Sequence, residues 1–366
     1  MIDNLHGHHM VNQNATYPLT TLYLYLADQC NLSCNHCWIS PAHSDRKGNG
    51  IPIDSLKKTI SEAKPLGLQS IKLTGGEPLL YRDLGSLLGF LAGEEITILI
   101  ETNGTLFNSE ILDNIRSCEV DQISVSLDAG TAEIHDKIRG MDGSFSRTLE
   151  GLRLLSEKGF TFQIIMTLQR RNSLEIPNLI SLCEELGASS LKINHLLPCG
   201  RGKEVFKKKQ NLDPGELLSL YQFVEREFSS MNNPDIIFDL PVALRSIENI
   251  KRRGISECRI LNILGILANG DFSICGIGQT MDALRMGNIR HDSIGDVWRN
   301  NPILDDLRKS LPKQLKGICG HCIFKFQCLG SCRANAYAVN KDLYAPYFLC
   351  QESFESGFFP DSRVIP

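Results

Sequence analysis

The sequence predicts an α/β protein: a partial, TIM-like (β/α)6 barrel followed by a small cysteine-rich domain. Three observations carry that prediction. Apolar, β-prone runs alternate six times with segments of helical periodicity between about residues 20 and 230, and βα units in series imply parallel strands joined by right-handed crossovers. Cys30, Gly75, Asn103, Asp128, Asn172 and Cys199 each fall just after a strand. In a barrel that is the C-terminal face, where active sites are built. Beyond about residue 245 the alternation stops, and cysteines punctuate a glycine-interrupted stretch with few long apolar runs. A doubly wound open sheet also fits the alternation, but a curved sheet better accounts for so many convergent strand ends. The expected boundaries are a tail over 1–19, the barrel over 20–240 and the cysteine-rich domain over 241–366.

The elements follow in order. LYLYLA (22–27) is the first strand and runs into a cysteine loop; IDSLKKTISEAKPLG (53–67) is its helix, with Asp54 placed as N-cap. SIKLTGGE (70–77) is the second strand, ending in glycines, and RDLGSLLGFLA (82–92) the second helix. ITILIETNG (96–104) and QISVSLDAG (122–130) are strands followed by helices over 109–117 and 146–159. FTFQIIMTLQ (160–169) and SLKINHLLP (190–198) complete the six, with helices over 174–187 and 213–230.

The chain has 366 residues, 42% hydrophobic and 22% charged, which suits a soluble protein with a sizeable core. A net charge of −4 gives no bulk attraction to nucleic acid or anionic membrane. No apolar run approaches the roughly 20 residues of a membrane span; ILNILGILA (260–268) is short and carries Asn262 and Gly265. The N-terminus lacks a basic region followed by an apolar one, so a cytoplasmic location is expected. His6, His8 and His9 could bind metal, although a frayed tail is the stronger reading. Thirteen cysteines in a long chain without a signal peptide do not read as a disulfide framework. They fall in two groups, Cys30 to Cys37 and Cys258 to Cys350, with only Cys118, Cys183 and Cys199 between, and that clustering points to metal centres.

CNLSCNHC (30–37) sets Cys30, Cys34 and Cys37 at C-x3-C-x2-C with no fourth cysteine nearby. Three thiolates can hold three irons of a [4Fe–4S] cubane and leave the fourth open. A catalytic zinc on two cysteines and His36 is the alternative. Gly75-Gly76-Glu77-Pro78 follows the second strand. Together these two segments resemble the radical S-adenosylmethionine (SAM) superfamily. The resemblance implies that SAM chelates the open iron, that Gly75 and Gly76 let its methionyl part approach the backbone, and that Glu77 receives its ammonium. ETNG (101–104) and SVSLDA (124–129) are similar to family strand ends, which implies SAM contacts for Asn103, Ser126 and Asp128. A capping role is the alternative for Asp128. Arg139, in HDKIRG (135–140), is a candidate partner for the SAM carboxylate or else a surface arginine; Thr167 and Asn172 are further candidates. The implied chemistry is one-electron cleavage of SAM to methionine and a 5′-deoxyadenosyl radical, which abstracts hydrogen from the substrate. An external electron donor such as flavodoxin or ferredoxin is implied with it.

The C-terminal cysteines are equally regular. Cys258 precedes G-x4-C at Gly270 and Cys275; Cys319, Cys322, Cys328 and Cys332 give C-x2-C-x5-C-x3-C; Cys350 closes the series. Zinc ribbons are the alternative for such spacings. The pattern resembles the seven-cysteine SPASM domain and implies two auxiliary [4Fe–4S] clusters, three in the chain. By that resemblance Cys319, Cys322, Cys328 and Cys350 hold the distal cluster, and Cys258, Cys275 and Cys332 the one nearer the active site. The nearer cluster's fourth iron is open, or is held by Cys199 or another group. Cys118 and Cys183 read as packing residues. Members of this subgroup modify ribosomally made peptides, so a peptide or small protein cross-linked through thioether or C–C bonds is the leading expectation. Formylglycine-forming sulfatase maturation and porphyrin or haem-precursor side-chain modification are the alternatives. A non-catalytic cluster-bearing partner would be a different class, and no motif residue is lost to suggest it. About 20 residues precede the first strand, so any leader recognition is expected from a separate leader-binding protein.

Overall fold

The computed structural model describes residues 17–46, 50–228, 230–231, 234–255 and 258–365; the His6, His8 and His9 cluster lies outside them. Ten strands make one sheet: β1 (Thr21–Tyr25), β2 (Ser70–Thr74), β3 (Thr97–Thr102), β4 (Gln122–Ser126), β5 (Phe162–Leu168), β6 (Ser190–His195), β7 (Asp235–Asp239), β8 (Ile263–Ile266), β9 (Asp271–Ser273) and β10 (Arg285–Asn288). Their spatial order is β10-β9-β8-β1-β2-β3-β4-β5-β6-β7. From β8 through β7 every neighbouring pair is parallel, while β9 and β10 pair antiparallel at the other edge.

Strict sequence order from β1 to β7 has no reversal, the feature that defines a doubly wound sheet. The curvature shows in the lumen. Lys72, Glu101, Ser124, Gln163, Lys192 and Asp239, from six consecutive strands, line one cavity of about 370 Å³. A flat sheet could not gather them. The alternate residues, among them Leu24, Ile71, Ile100, Val125, Ile164 and Ile193, are buried in the core on the other face, as the two-residue period of a strand requires.

The six predicted strands are present, and a seventh, DIIFD at 235–239, was not anticipated. Its three apolar residues between two aspartates are too short a run to show periodicity. The sheet also continues past residue 240, because β8 lies parallel to β1 with Leu22 opposite Leu264. The first helix is α1 (Ile53–Ala63), after which Pro65 turns the chain into a short 3-10 segment. Asp54 is not its cap: Pro52 holds that position, and Asp54 sits in the first turn, where a carboxylate favours the positive end of the helix dipole. The other barrel helices include α2 (Leu84–Leu91), α3 (Ser109–Ser117), α4 (Ala132–Arg139), α5 (Ser144–Glu157) and α6 (Ile176–Leu186). Cys118 and Cys183 are buried core residues. Among the described residues no helix is long and apolar enough to cross a membrane.

Candidate active site

The cysteine loop leaves β1 at the C-terminal end of the sheet and is anchored from several strands at once. The Gly76 and Glu77 N–H groups donate to the carbonyls of Ala27 and Gln29, both at 2.8 Å. This explains the two glycines differently from the sequence reading. A Cβ on Gly76 would lie 2.0 Å from the Gln29 carbonyl oxygen, and Gly75 has φ +132° with Ala27 O 3.0 Å from its Cβ position. Contact with the cysteine loop already demands both. From the end of α4, the carbonyls of Arg139 and Ile138 accept from Ser33 N (3.0 Å) and Asn35 N (2.9 Å). Gln169, just past β5, donates to Asn35 Oδ1 at 2.9 Å. Beyond β6, Arg201 N–H donates to Cys37 O at 2.9 Å.

Cys30 and Cys34 are buried and Cys37 half-buried. The Cys30 thiol receives Leu32 N–H at 3.4 Å and faces Asn103 Nδ2 at 3.9 Å. Cys34 faces the Arg139 guanidinium at 3.7 Å. Burial, with Glu77 and Cys34 nearby, pushes the Cys30 thiol up to about 12; burial also raises Cys34, although Arg139 opposes it.

Glu77 is buried and accepts three hydrogen bonds: from Leu79 N (3.1 Å) and Thr102 Oγ1 (2.6 Å) at one oxygen, and from Asn103 N (2.9 Å) at the other. A carboxylate has about four acceptor sites, so one remains for a cation. Burial lifts its pKa to about 7 against those bonds. Asn103 is fully engaged: its amide nitrogen donates to Asn31 Oδ1 at 2.8 Å, and its oxygen accepts from Thr105 N and Oγ1 at 2.9 and 2.6 Å. Ser126 is half-buried, two residues beyond Ser124, which lines the lumen, and so shares its face.

Asp128 and Arg139 take positions that spacing could not show. Asp128 has no exposed surface, and Arg139 Nε lies 2.7 Å from its Oδ2. Its other oxygen accepts from Thr167 N at 2.8 Å. Burial acts to raise this carboxyl, but Arg139, His36 and His135 outweigh it and hold it below the usual range. Arg139 is therefore not a surface residue. Asn172 is buried and donates to the carbonyls of Asp128 and Thr167 at 2.8 and 3.0 Å, so both it and Thr167 brace the Asp128 turn.

In the C-terminal region Cys319, Cys322, Cys328 and Cys350 line one small cavity with Val242, Ile318 and Phe324. Backbone N–H groups donate to their sulfurs: Tyr347 to Cys319 (3.3 Å), Phe324 to Cys322 (3.4 Å) and Ser331 to Cys328 (3.1 Å). Leu329, Gly330 and Ser331 all have left-handed φ, a run of conformations that recurs where a binding turn is over-determined by its surroundings. Among the described residues no three His, Cys, Asp or Glu side chains converge closely enough to hold a single metal ion.

Residues 24–183 match the model of the Radical SAM superfamily. An AdoMet-dependent heme synthase of Methanosarcina barkeri is 32% identical over 330 residues, 86% of this chain and 90% of that enzyme. The chain belongs to the radical SAM superfamily. Residues 258–323 of this radical SAM enzyme match the SPASM iron-sulfur cluster-binding domain. The mycofactocin maturase MftC of Mycobacterium tuberculosis (strain ATCC 25618 / H37Rv) is 26% identical over 343 residues, 92% of this chain and 84% of that one. The crystal structure of Streptococcus suis SuiB bound to precursor peptide SuiA shares the fold, with TM-score 0.73 and 20% identity over 92% of this chain and 76% of that one.

The family implies iron–sulfur clusters and SAM, and the residues present fit them. Buried thiols ionise against a metal, and N–H groups aimed at their sulfurs are what tune a bound cluster. Three thiols in the first loop, and four around one cavity in the SPASM domain, form donor sets of that kind. When bound, cluster and SAM together supply the 5′-deoxyadenosyl radical. The chain's own contribution is to fix the loop, bury Cys30 and Cys34 from water and leave one acceptor site on Glu77. Sequence reading missed Asn31 and Gln169, whose roles rest on contacts between distant segments.

Proposed function

We propose that this radical SAM/SPASM enzyme abstracts hydrogen from a side chain of a haem-type porphyrin precursor. The observation that carries the reading is the 32% identity to AdoMet-dependent heme synthase over most of both chains, against 26% for MftC. The lumen supports it chemically. Lys72 pairs with Glu101 at 2.7 Å and Lys192 with Asp239 at 3.1 Å, and Arg245 and Arg253 line the same cavity. Acidic side chains of a porphyrin precursor would exchange with those carboxylates as partners of the cations. Peptide modification, including thioether or C–C cross-linking, is the second reading; the MftC likeness across 92% of this chain favours it. The test is to incubate the anaerobically reconstituted enzyme with SAM, reductant and either iron-coproporphyrin or a candidate precursor peptide. Formation of 5′-deoxyadenosine coupled to a mass change in the porphyrin is expected. Coupled change in the peptide alone would reverse the order of the two readings.

In the site, Cys30, Cys34 and Cys37 hold the SAM cluster, Glu77 takes the SAM ammonium, and Ser126 meets the ribose. An external reductant such as flavodoxin or ferredoxin supplies the electron. Asp128 and Arg139, committed to each other, act on SAM indirectly by holding the loop. With both auxiliary clusters present, about 12 irons per chain are expected. Glu77→Gln keeps the shape but removes the charge, and should cost about 1–2 kcal/mol of SAM affinity by calorimetry. Unchanged affinity would place the ammonium elsewhere.

A further inference from the structure

The three cysteines assigned to the nearer auxiliary cluster leave one of its four irons without a thiolate. The turn after β6 addresses that position. Cys199 has no exposed surface. The Asn335 N–H donates to Cys332 Sγ at 3.4 Å, and the Asn335 side chain lies against Cys199, so one residue spans both thiols. Asn335 is itself fully buried, yet neither end of its amide has a close hydrogen-bond partner. Buried primary amides are normally satisfied. This one lies against the Cys199 thiol, where it can donate to a thiolate or a bridging sulfide. Cys275 lies on the same side, because the turn that follows it (Gly276–Thr280) packs against the helix Arg333–Asn340 that begins at Cys332.

We propose that Cys199 is the fourth thiolate of the nearer auxiliary [4Fe–4S] cluster, completing the set with Cys258, Cys275 and Cys332. This rests on the reading of the SPASM domain as a two-cluster module. Binding is an exchange without redox change: the Cys199 thiol releases its proton to solvent as its sulfur takes the fourth iron, and the water or small thiolate that would otherwise cap that iron leaves to solvent. The same turn abuts the first cluster's loop. A Cβ on Gly200 would lie 2.4 Å from Trp38 O and 2.5 Å from Cys37 O. One short turn therefore carries an auxiliary ligand directly against the SAM-cluster loop. A cluster so closed has no resting iron free for a substrate thiolate and serves electron transfer.

The test uses the full chain carrying Cys30→Ala, Cys34→Ala and Cys37→Ala, reconstituted anaerobically so that only auxiliary clusters remain, with about 8 irons expected. Its Mössbauer spectrum should show only iron in tetrahedral sulfur sites, and carbon-13 cyanide should give no hyperfine coupling in the reduced protein. Adding Cys199→Ala should either lower the count to about 4 irons or keep about 8 with one site now coupled to cyanide. Cys199→Ser should retain the cluster with one shifted iron site, and Cys183→Ala, buried elsewhere, should change nothing. Cyanide binding before Cys199 is altered overturns the proposal, as do unchanged iron and spectra in Cys199→Ala. A parent holding one auxiliary cluster or none overturns the two-cluster reading and the proposal with it, whereas a parent holding two isolates Cys199.

Discussion

Gly76 shows how a residue can be legible in kind and not in reason. Its place in Gly-Gly-Glu-Pro was evident from spacing, but the demand on it comes from Gln29 O, 2.0 Å from where its Cβ would stand. Gly76→Ala should push the cysteine loop away and lower iron by about 4 per chain on reconstitution; full iron content would show that the loop can shift. Arg139 is the opposite case. Its partner Asp128 lies 11 residues upstream at the end of a different element, and only the return of α4 onto the strand end brings Nε and Oδ2 to 2.7 Å. Removing one partner of a buried pair typically costs about 3–5 kcal/mol because the other charge is stranded. Arg139→Met should lose that much in denaturant unfolding, and adding Asp128→Asn should restore part of it. A loss below about 1 kcal/mol would mean that the backbone contacts at Ser33 and Asn35, not the ion pair, hold the loop.

At the scale of elements, strands that run into motif residues and are followed by a helix of clear periodicity were readable, and DIIFD at 235–239 was not. That strand earns its place by pairing with β6 and by delivering Asp239 to the lumen. Its register also sets a pH-sensitive joint. His195, at the end of β6, has Nδ1 2.8 Å from Asp239 O and Nε2 2.6 Å from Tyr347 Oη. The carbonyl can only accept, so Nδ1 carries the proton and Nε2 accepts from the tyrosine. Burial lowers the His195 pKa, with Asp239 opposing and Lys192 assisting; burial likewise brings His135 down to about 4. A histidine whose folded pKa is depressed contributes stability that is fully present above its unfolded value near 6.5. That stability is lost as pH falls through the folded pKa. Unfolding free energy should therefore decline below about pH 6.5, by up to about 1.4 kcal/mol per pH unit for each such histidine. His195→Gln should flatten the slope. An unaltered slope would place the pH dependence in other groups.

For the whole molecule, the question is whether the barrel and the SPASM region behave as one body. Composition suggested a break near 240, because apolar patterning fades there; no one-dimensional signal could show that Ile263–Ile266 returns to lie beside β1. That pairing makes β1 an interior strand, hydrogen-bonded on both sides by β8 and β2. Side chains cross the same divide: Trp298 Nε1 donates to Tyr17 O at 2.8 Å, and Tyr347 reaches His195. If metal centres supply part of the C-terminal region's stability, losing them should be felt in β1, far along the chain but adjacent in the sheet. Hydrogen exchange on Cys319→Ala, which removes one of the four thiols lining the C-terminal cavity, should therefore accelerate at amides of β8 and also of β1, while β4 and β5, two or more strands further in, keep their protection. Exchange confined to residues beyond 258 would mean that the shared sheet transmits no stability. Acceleration in β1 would tie the anchorage of the first cysteine loop to the state of the C-terminal cysteines, because that loop begins where β1 ends.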